Sequence, residues 1–178
     1  TIDVFEELEY KALVEKYGIG LIDLNKTETE QIENPEFLRF EEIMYPKILK
    51  ESFVISLPVL RMEGDEIYAS LDNMIGAFPA KHYAGLFSNK KSKIKKWPLK
   101  YQVHDILKCK LPEFALIDAS SKGYVLAGQP LEMDKQAAKL LGIDWKTVEH
   151  LRLINETMGK MPIIPKEIPQ EDKSEIAG

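Results

Sequence analysis

The stretch FVISLP at residues 53–58 decides the predicted fold. The run is almost entirely apolar and of strand length, which is typical of a strand buried on both faces of a parallel sheet. Pro58 ends the strand because proline has no N–H to donate to a neighbour. A second run of this kind, FALI at residues 114–117, ends at Asp118. We therefore expect residues 53–57 and 114–118 to lie side by side, or one strand apart, in a parallel sheet.

Helical patterns and further apolar runs alternate with these two stretches. Apolar residues at helical spacing predict helices over residues 3–17 and near residues 100–109, and after Pro130 and Asp144. Short apolar runs at residues 20–24 and 124–127 predict two more strands. This alternation predicts an α/β fold with a predominantly parallel sheet flanked by helices on both sides. We expect one α/β domain over residues 1–160, followed by a proline-rich extended or disordered tail over residues 161–178.

Composition excludes several classes of protein. Hydrophobic residues make up 44% of the 178-residue chain and charged residues 30%, a mixture typical of a folded globular domain. The formal net charge of -5 argues against a general affinity for polyanions. No run approaches the roughly 20 apolar residues of a membrane helix, and we expect a cytoplasmic protein. Abundant Ile, Lys and Glu with little Asn, Gln or Cys is typical of heat-adapted, thermophile proteins.

Cys109 is the single cysteine of the sequence. One thiol excludes a disulfide within the chain and every metal motif that needs several cysteines. We therefore expect no iron–sulfur cluster in this chain, since such clusters usually take four thiolate ligands. No adjacent motif activates the thiol, and we expect a small, buried helical side chain.

Three segments, taken in order, resemble the domain of unknown function 362 family. The first is VISLPVLR at residues 54–61 followed by SLDNMIG at residues 70–76, the second is PEFALID at residues 112–118, and the third is LAGQPLEMD at residues 126–134 followed by AAKLLG. With a looser match near the N-terminus, the resemblance spans roughly residues 5–158. It implies the same α/β fold and, because some relatives carry iron–sulfur modules, an enzyme or a redox-associated protein.

The sequence also departs from the family pattern. Arg61 stands where the family usually has Lys, Met62 and Glu63 replace a Thr-His pair, and Asp72 replaces a Lys. The glycine-rich loop of the family is shortened to ASSKG at residues 119–123. We therefore expect a truncated or divergent member of the family.

Polar residues follow the two main predicted strands and indicate a binding site. Ligands bind at the carboxyl ends of the strands in open α/β sheets. The ligand-binding candidates are Arg61, Glu63, Asn73, Asp118, Ser120, Ser121 and Asp134. Arginine suits a carboxylate or phosphate, whereas aspartate could hold a cation, so we expect either a small anionic ligand or a metal. In particular, we expect Arg61, Asn73 and Asp118 to lie around one cleft.

Each acidic candidate also has a structural interpretation. Asp118 could simply cap the turn that follows it, and Asp134 could serve the electrostatics of a helix N-terminus. His82, His104 and His150 are too scattered for a metal-ligand spacing. The pair His104-Asp105 is typical of a solvated helix face. Catalytic residues are not identified, because Ser120 and Ser121 have no evident histidine partner.

The segment over residues 81–100 is the one strongly basic part of the sequence. Its central lysines are Lys90, Lys91, Lys93, Lys95 and Lys96. They are interleaved with Tyr83, Phe87 and Trp97, which could stack on bases. The alternative function is therefore a noncatalytic binding module that uses this segment to contact nucleic acid or an acidic partner.

Overall fold

The computed structural model describes residues 4–84 and 91–158, and every element below lies in these two ranges. The helices are α1 (Val4–Glu7), α2 (Tyr10–Tyr17), α3 (Lys47–Glu51), α4 (Ala80–Tyr83), α5 (Ser92–Lys95), α6 (Leu99–Cys109), α7 (Pro130–Leu140) and α8 (Glu149–Met158). The strands are β1 (Thr29–Glu33), β2 (Glu42–Pro46), β3 (Ile55–Ser56), β4 (Arg61–Glu63), β5 (Glu66–Tyr68), β6 (Phe114–Ala119) and β7 (Tyr124–Gly128). Short 3₁₀ helices cover Asp72–Ala77, Ser120–Lys122 and Trp145–Thr147.

The described strands form three small sheets. Strands β1 and β2 pair antiparallel, as do β4 and β5, and the third sheet has the order β3-β6-β7. In that third sheet β3 runs parallel to β6, whereas β7 runs antiparallel to β6. The prediction of a predominantly parallel sheet flanked by helices on both sides is therefore wrong. The fold is a mixed α/β arrangement.

Short connections explain this difference. Parallel neighbours need a long crossover, whereas a tight turn returns the chain antiparallel. Gly64 and Gly123 adopt φ values of +59° and +80° in the β4–β5 and β6–β7 turns, a conformation that favours glycine. Each turn therefore makes a hairpin. Among the described strands, β3 and β6 are the parallel pair, and a long connection separates them in the sequence.

The predicted pairing of the two apolar stretches is confirmed. Ile55 lies opposite Phe114 and Ser56 opposite Ala115 in the parallel register. The contact continues to a parallel bridge between Val59 and Asp118. The sequence therefore identified the parallel pair of the described strands, although β3 itself is only two residues long.

The N-terminal segment differs from its prediction. Instead of one helix over residues 3–17, α1 and α2 are separated at Glu9, which has a positive φ of 56°. The predicted strand at residues 20–24 is absent from the described structure, and that prediction is wrong. This apolar run has no strand beside it to accept its backbone hydrogen bonds. The described strand nearest the N-terminus is instead β1.

The core lies between one face of the β3-β6-β7 sheet and the C-terminal helices. Burial alternates along β6, so that Ala115, Ile117 and Ala119 are fully buried while Leu116 and Asp118 are exposed. Helix α7 packs against β6 and β7, and α6 packs against α8. The opposite face of the sheet is not covered by helices of the described chain. This face carries exposed apolar side chains and Asp118.

The predicted tail over residues 161–178 lies outside the described residues. The single-domain prediction over residues 1–160 therefore stays a prediction.

Candidate functional site

An open cleft of about 650 Å³ lies beside the β4–β5 hairpin and the Asp72–Ala77 helix. Arg61, Glu63 and Asn73 line it, so three of the sequence-predicted candidates come together. Lys91 and Lys95 line the same cleft, and Tyr68, Asp72 and Gln102 also contribute to its wall. The volume is that of a typical small-molecule site, about 300–1,000 Å³.

Arg61 is held at the mouth of the cleft by its own hairpin. It lies opposite Tyr68 in the antiparallel register, and the guanidinium carbon is 4.4 Å from the centroid of the Tyr68 ring. Its Nη1 donates to Glu63 Oε1 at 3.1 Å. Both partners of this ion pair are more than half exposed, and exposed pairs contribute little free energy. An incoming anion can therefore compete with Glu63 for the guanidinium.

Asn73 is oriented by a chain of polar contacts from the core. Its side-chain amide donates to Ser56 Oγ at 3.0 Å. The Ser56 hydroxyl in turn donates to the backbone carbonyl of Ser70 at 2.9 Å. Because Ser56 is buried on the inner face of the sheet, these bonds fix an exposed amide on a rigid support.

Lys91 brings a half-buried ammonium group to the cleft. It donates to the backbone carbonyls of Ile75 and Gly76 at 3.3 and 3.0 Å. Burial lowers the pKa of Lys91 from its ordinary value. A partly desolvated ammonium group that is bonded only to neutral carbonyls in the described structure would gain from a nearby negative charge.

Asp72 is the buried acid of the cleft wall. Burial raises the pKa of its carboxyl group, and the nearby Asp134 also raises it, to about 7. A hydrogen bond from the Ala69 N–H lowers the pKa and only partly offsets these effects. Near neutral pH this carboxyl group is therefore only partly ionised. Since Glu63 already pairs with Arg61, the charge that the cleft presents comes mainly from Lys91 and Lys95.

Asp118, Ser120 and Ser121 are not brought into this cleft. Asp118 is exposed on the uncovered face of the sheet, where its Oδ1 accepts the Ser120 N–H at 2.9 Å. Hydrogen bonds from Ser120 lower the pKa of Asp118. Asn73, in contrast, contacts Ser56 on the buried face. We expected Arg61, Asn73 and Asp118 to lie around one cleft. In the structure Arg61 and Asn73 line the cleft, and Asp118 does not.

Asp134 is fully buried and does not line the cleft. Its carboxylate accepts the backbone N–H groups of Ser70 and Leu71 at 2.9 and 3.0 Å, and the Ser70 hydroxyl donates a further bond. Burial raises the pKa of Asp134, whereas these hydrogen bonds lower it. In this structure the side chain joins α7 to the loop before the Asp72–Ala77 helix.

The pair His104-Asp105 is buried, and its interpretation as a solvated helix face is wrong. His104 Nδ1 lies 2.7 Å from Asp105 Oδ1, and the carboxylate also accepts the N–H groups of Leu38, Arg39 and Phe40. Burial raises the pKa of Asp105, but these hydrogen bonds outweigh it and the pKa lies below its ordinary value. The pair fastens the loop at residues 38–40 to α6.

The other histidines and the cysteine lie at separate places. His150 is buried with Nδ1 at 3.5 Å from Glu66 Oε2, outside hydrogen-bond geometry, and His82 Nε2 contacts Thr29 Oγ1 at 3.2 Å. Burial raises the pKa of the Cys109 thiol to about 12, in keeping with an unreactive side chain. Within residues 4–84 and 91–158, no group of three or more His, Cys, Asp or Glu side chains is arranged to hold a metal ion.

Tyr83 and Trp97, the two described aromatic residues of those named in the basic segment, both contact other side chains of the protein. Tyr83 is buried, and its hydroxyl accepts the Met44 N–H at 2.8 Å. Arg39 lies over Trp97, with its guanidinium carbon 5.6 Å from the ring centroid, and Lys96 contacts the same ring. Phe87 and Lys90 lie outside the described residues. Base stacking on Tyr83 or Trp97 therefore has little support, whereas phosphate contacts by Lys93 and Lys96 stay a prediction.

Sequence reasoning missed the contribution of Tyr68, Asp72 and Gln102 to the cleft. Gln102 is nearly buried, and its amide donates to the Trp97 carbonyl at 2.6 Å. The sequence contains one signal for this wall: Asp72 stands where the family that the sequence resembles usually has a lysine. Arg61 and Tyr68 face each other across the β4–β5 hairpin. Their pairing can be predicted from the sequence once the turn at Gly64 is recognised.

Comparison with known proteins does not assign the site. No protein-family model matches the chain, and neither a curated protein nor a solved structure is significantly similar to it. Membership of the domain of unknown function 362 family stays a prediction. In the described part of the chain, none of the helices has the length and apolar character that a membrane crossing requires.

Proposed function

We propose that this protein binds a small anionic ligand in the cleft formed by Arg61, Asn73, Lys91 and Lys95. One observation carries the proposal: two lysines of the basic segment line the same cleft as Arg61 and Asn73. The two functional interpretations of the sequence, a small-ligand site and a lysine-rich contact segment, thus meet at one place. The cleft is thus a place of local positive charge in a chain of net charge -5.

The cleft groups suit a carboxylate or phosphate group. Arg61 supplies a planar guanidinium group with several N–H donors. The Tyr68 ring stacks against this group and restricts its orientation. Lys91 and Lys95 supply ammonium charge, and Asn73 supplies an amide held by Ser56. An anion at the centre would take the place of Glu63 as the partner of Arg61. The proposal extends to binding and not to a reaction.

The test is direct binding of two probes, inorganic phosphate and malonate, measured by calorimetry on the full chain at low ionic strength. We expect at least one probe to bind with a single site. Arg61→Ala and Lys95→Ala should each weaken that binding by about tenfold, the loss of one charge-assisted contact. The matched control is Arg152→Ala, because Arg152 is an exposed arginine of α8 outside the cleft.

Two results would overturn the proposal. One is the absence of binding for both probes at millimolar concentration. The other is equal weakening by Arg152→Ala and Arg61→Ala, which would indicate a diffuse charge effect. Melting curves of each variant, compared with the wild type, show whether a loss of binding reflects unfolding.

A further inference from the structure

Asp72 places a carboxyl group in the wall of the cleft. The residue is 8% exposed, and it lines the cleft together with Arg61, Asn73 and Lys91. An ionised carboxylate at this position repels an anion in the cleft, because two like charges in a partly buried site are only weakly screened by water. A neutral carboxyl group does not repel it. The protonation of Asp72 therefore affects how tightly the cleft holds an anion.

Asp134 of α7 is the acidic group that acts on Asp72 from the core. It is fully buried, and its charge raises the pKa of Asp72. Its carboxylate accepts the N–H groups of Ser70 and Leu71 and a bond from the Ser70 hydroxyl. In the described structure Asp72 accepts the N–H of Ala69, and of the two acids it is Asp72 that lines the cleft. An anion in the cleft therefore acts mainly on the protonation of Asp72.

Arg61 is the positive group through which an anion can act on Asp72. The charge of Arg61 lowers the pKa of Asp72, because it favours the ionised carboxylate. The guanidinium group is exposed at the mouth of the cleft, where an anion can reach it. An anion bound to Arg61 offsets this positive charge. Asp72 therefore binds a proton more readily when the cleft is filled.

Other titratable groups surround the same wall. His150 of α8 is buried and, when protonated, lowers the pKa of Asp72. The remaining charged or titratable side chains around this part of the described structure are Glu63, Glu66, Tyr68, Lys91, Lys95 and Lys100. Burial lowers the pKa of Lys91. Loss of the Lys91 charge at high pH would weaken anion binding in the same direction as ionisation of Asp72, so a test has to separate these two groups.

We propose that an anion enters this cleft together with a proton, which Asp72 takes up from the solvent. This coupling rests on the proposed anion site and adds a way to release the anion as the pH rises. Linkage is reciprocal, so an anion that binds better to the neutral form of Asp72 also raises the pKa of Asp72. Burial already raises that pKa to about 7 in the free protein, which places the coupling near neutral pH.

The first experiment compares the wild type with Asp72→Asn, which carries no charge at any pH and can still accept the Ala69 N–H. Calorimetry on the full chain at constant ionic strength measures the dissociation constants of malonate and phosphate. Titration of the probe itself and of Lys91 affects both proteins alike and cancels in the ratio of their dissociation constants. We expect the ratio of wild type to Asp72→Asn to rise by about fivefold between about pH 7 and about pH 9.

The matched control is Asp65→Asn, which removes an exposed carboxylate from the β4–β5 turn. The ratio of wild type to Asp65→Asn should stay constant over the same range. A constant ratio of wild type to Asp72→Asn, for a probe that binds, would refute the coupling and leave the anion site in place. Failure of both probes to bind the wild type at neutral pH would refute the site itself and, with it, the coupling.

The second experiment needs no variant and so does not depend on how Asp72→Asn folds. The enthalpy of malonate binding to the wild type, measured in two buffers with different ionisation enthalpies, gives the number of protons taken up with the anion. We expect about half a proton per anion near pH 7.5, and less near pH 9, where Asp72 is ionised in both states. Uptake that grows steadily to pH 9 would assign the proton to Lys91 and would refute the role of Asp72, as would the absence of uptake.

Discussion

The buried Asp134 carboxylate binds Ser70 twice. Its Oδ1 accepts the Ser70 N–H at 2.9 Å and also a bond from the Ser70 hydroxyl. The second oxygen accepts the N–H of Leu71 at 3.0 Å. One side chain of α7 therefore orders the backbone at the point where the chain leaves the β4–β5 hairpin and enters the 3₁₀ helix that carries Asn73.

Asp134→Ala should strongly destabilise the protein. The substitution leaves the buried N–H groups of Ser70 and Leu71 without an acceptor, whereas the Ser70 hydroxyl still has the Pro130 carbonyl oxygen at 3.3 Å. We expect a loss of about 3 kcal/mol in the free energy of unfolding. The measurement is urea denaturation followed by circular dichroism. The control is Glu132→Ala, in the exposed first turn of the same helix, which loses only a surface ion pair with Lys135. A loss for Asp134→Ala no larger than for this control would contradict the structural role.

Asp72 should make the protein less stable as the pH rises through neutrality. Its pKa is raised from 3.8 to about 7 in the folded state by burial. A group with a raised folded pKa contributes stability that is present below the unfolded value and is lost as pH rises through the folded value. The stability of the wild type relative to Asp72→Asn should therefore fall between about pH 4 and pH 8. Unfolding curves at several pH values measure this difference.

The control for Asp72 is Asp65→Asn, in the exposed β4–β5 turn. It should leave the pH dependence of the wild type unchanged. A stability difference between the wild type and Asp72→Asn that stays constant over the window would show that the Asp72 carboxyl group does not titrate there.

Asp105 should have the opposite pH dependence. Its folded pKa is lowered because His104 and three backbone N–H groups outweigh the effect of burial. The stability that it contributes is therefore present above the unfolded pKa and is lost as pH falls through the folded value. At pH 7, Asp105→Ala should lower the free energy of unfolding by about 2–4 kcal/mol, and the difference should shrink below about pH 4. Glu36→Ala, which removes an exposed partner of Lys108 from the same loop, should have little effect at either pH.

Asp118→Asn should change neither anion binding nor the fold. The side chain is exposed on the sheet face away from the Arg61 cleft, and an asparagine oxygen can still accept the Ser120 N–H. We expect phosphate or malonate affinity within twofold of the wild type and a melting temperature within about 2 °C. A large loss of affinity with an intact fold would show that Asp118 belongs to the binding site after all.

Local patterns explain which elements the sequence could predict. Helix α7 is specified by the helical spacing of its own apolar residues and by the Gly142 that follows it, and β6 is specified by its own apolar run. Both elements lie where they are predicted. Strands β1 and β2 are different, since TEQIE at residues 29–33 has little apolar character and becomes a strand by pairing with residues 42–46. The sheet class depended on the turns at Gly64 and Gly123, which return the chain as antiparallel hairpins, and the spacing of apolar residues along a strand does not specify the turn that follows it.

The candidate site was likewise predictable only where its residues are close together in the sequence. Arg61, Glu63 and Asn73 are close in sequence, and the hairpin with its following turn brings them together. Lys91 joins them only through tertiary packing, and Asp105 and Asp134 likewise accept hydrogen bonds from backbone N–H groups that are distant in the sequence. A polar residue in the sequence does not reveal whether it will face solvent or hold another segment.

The parallel pair β3 and β6 also constrains how the chain folds as it is synthesised. Ile55 and Phe114 are about 59 residues apart, whereas β6, β7 and α7 contact one another within a short span. Closing the longer loop costs more chain entropy, so the hairpin and α7 should form the nucleus to which β3 then attaches. On the ribosome, the apolar stretch at residues 53–60 therefore emerges well before its partner strand exists. During that interval its apolar side chains and unpaired backbone need protection from aggregation.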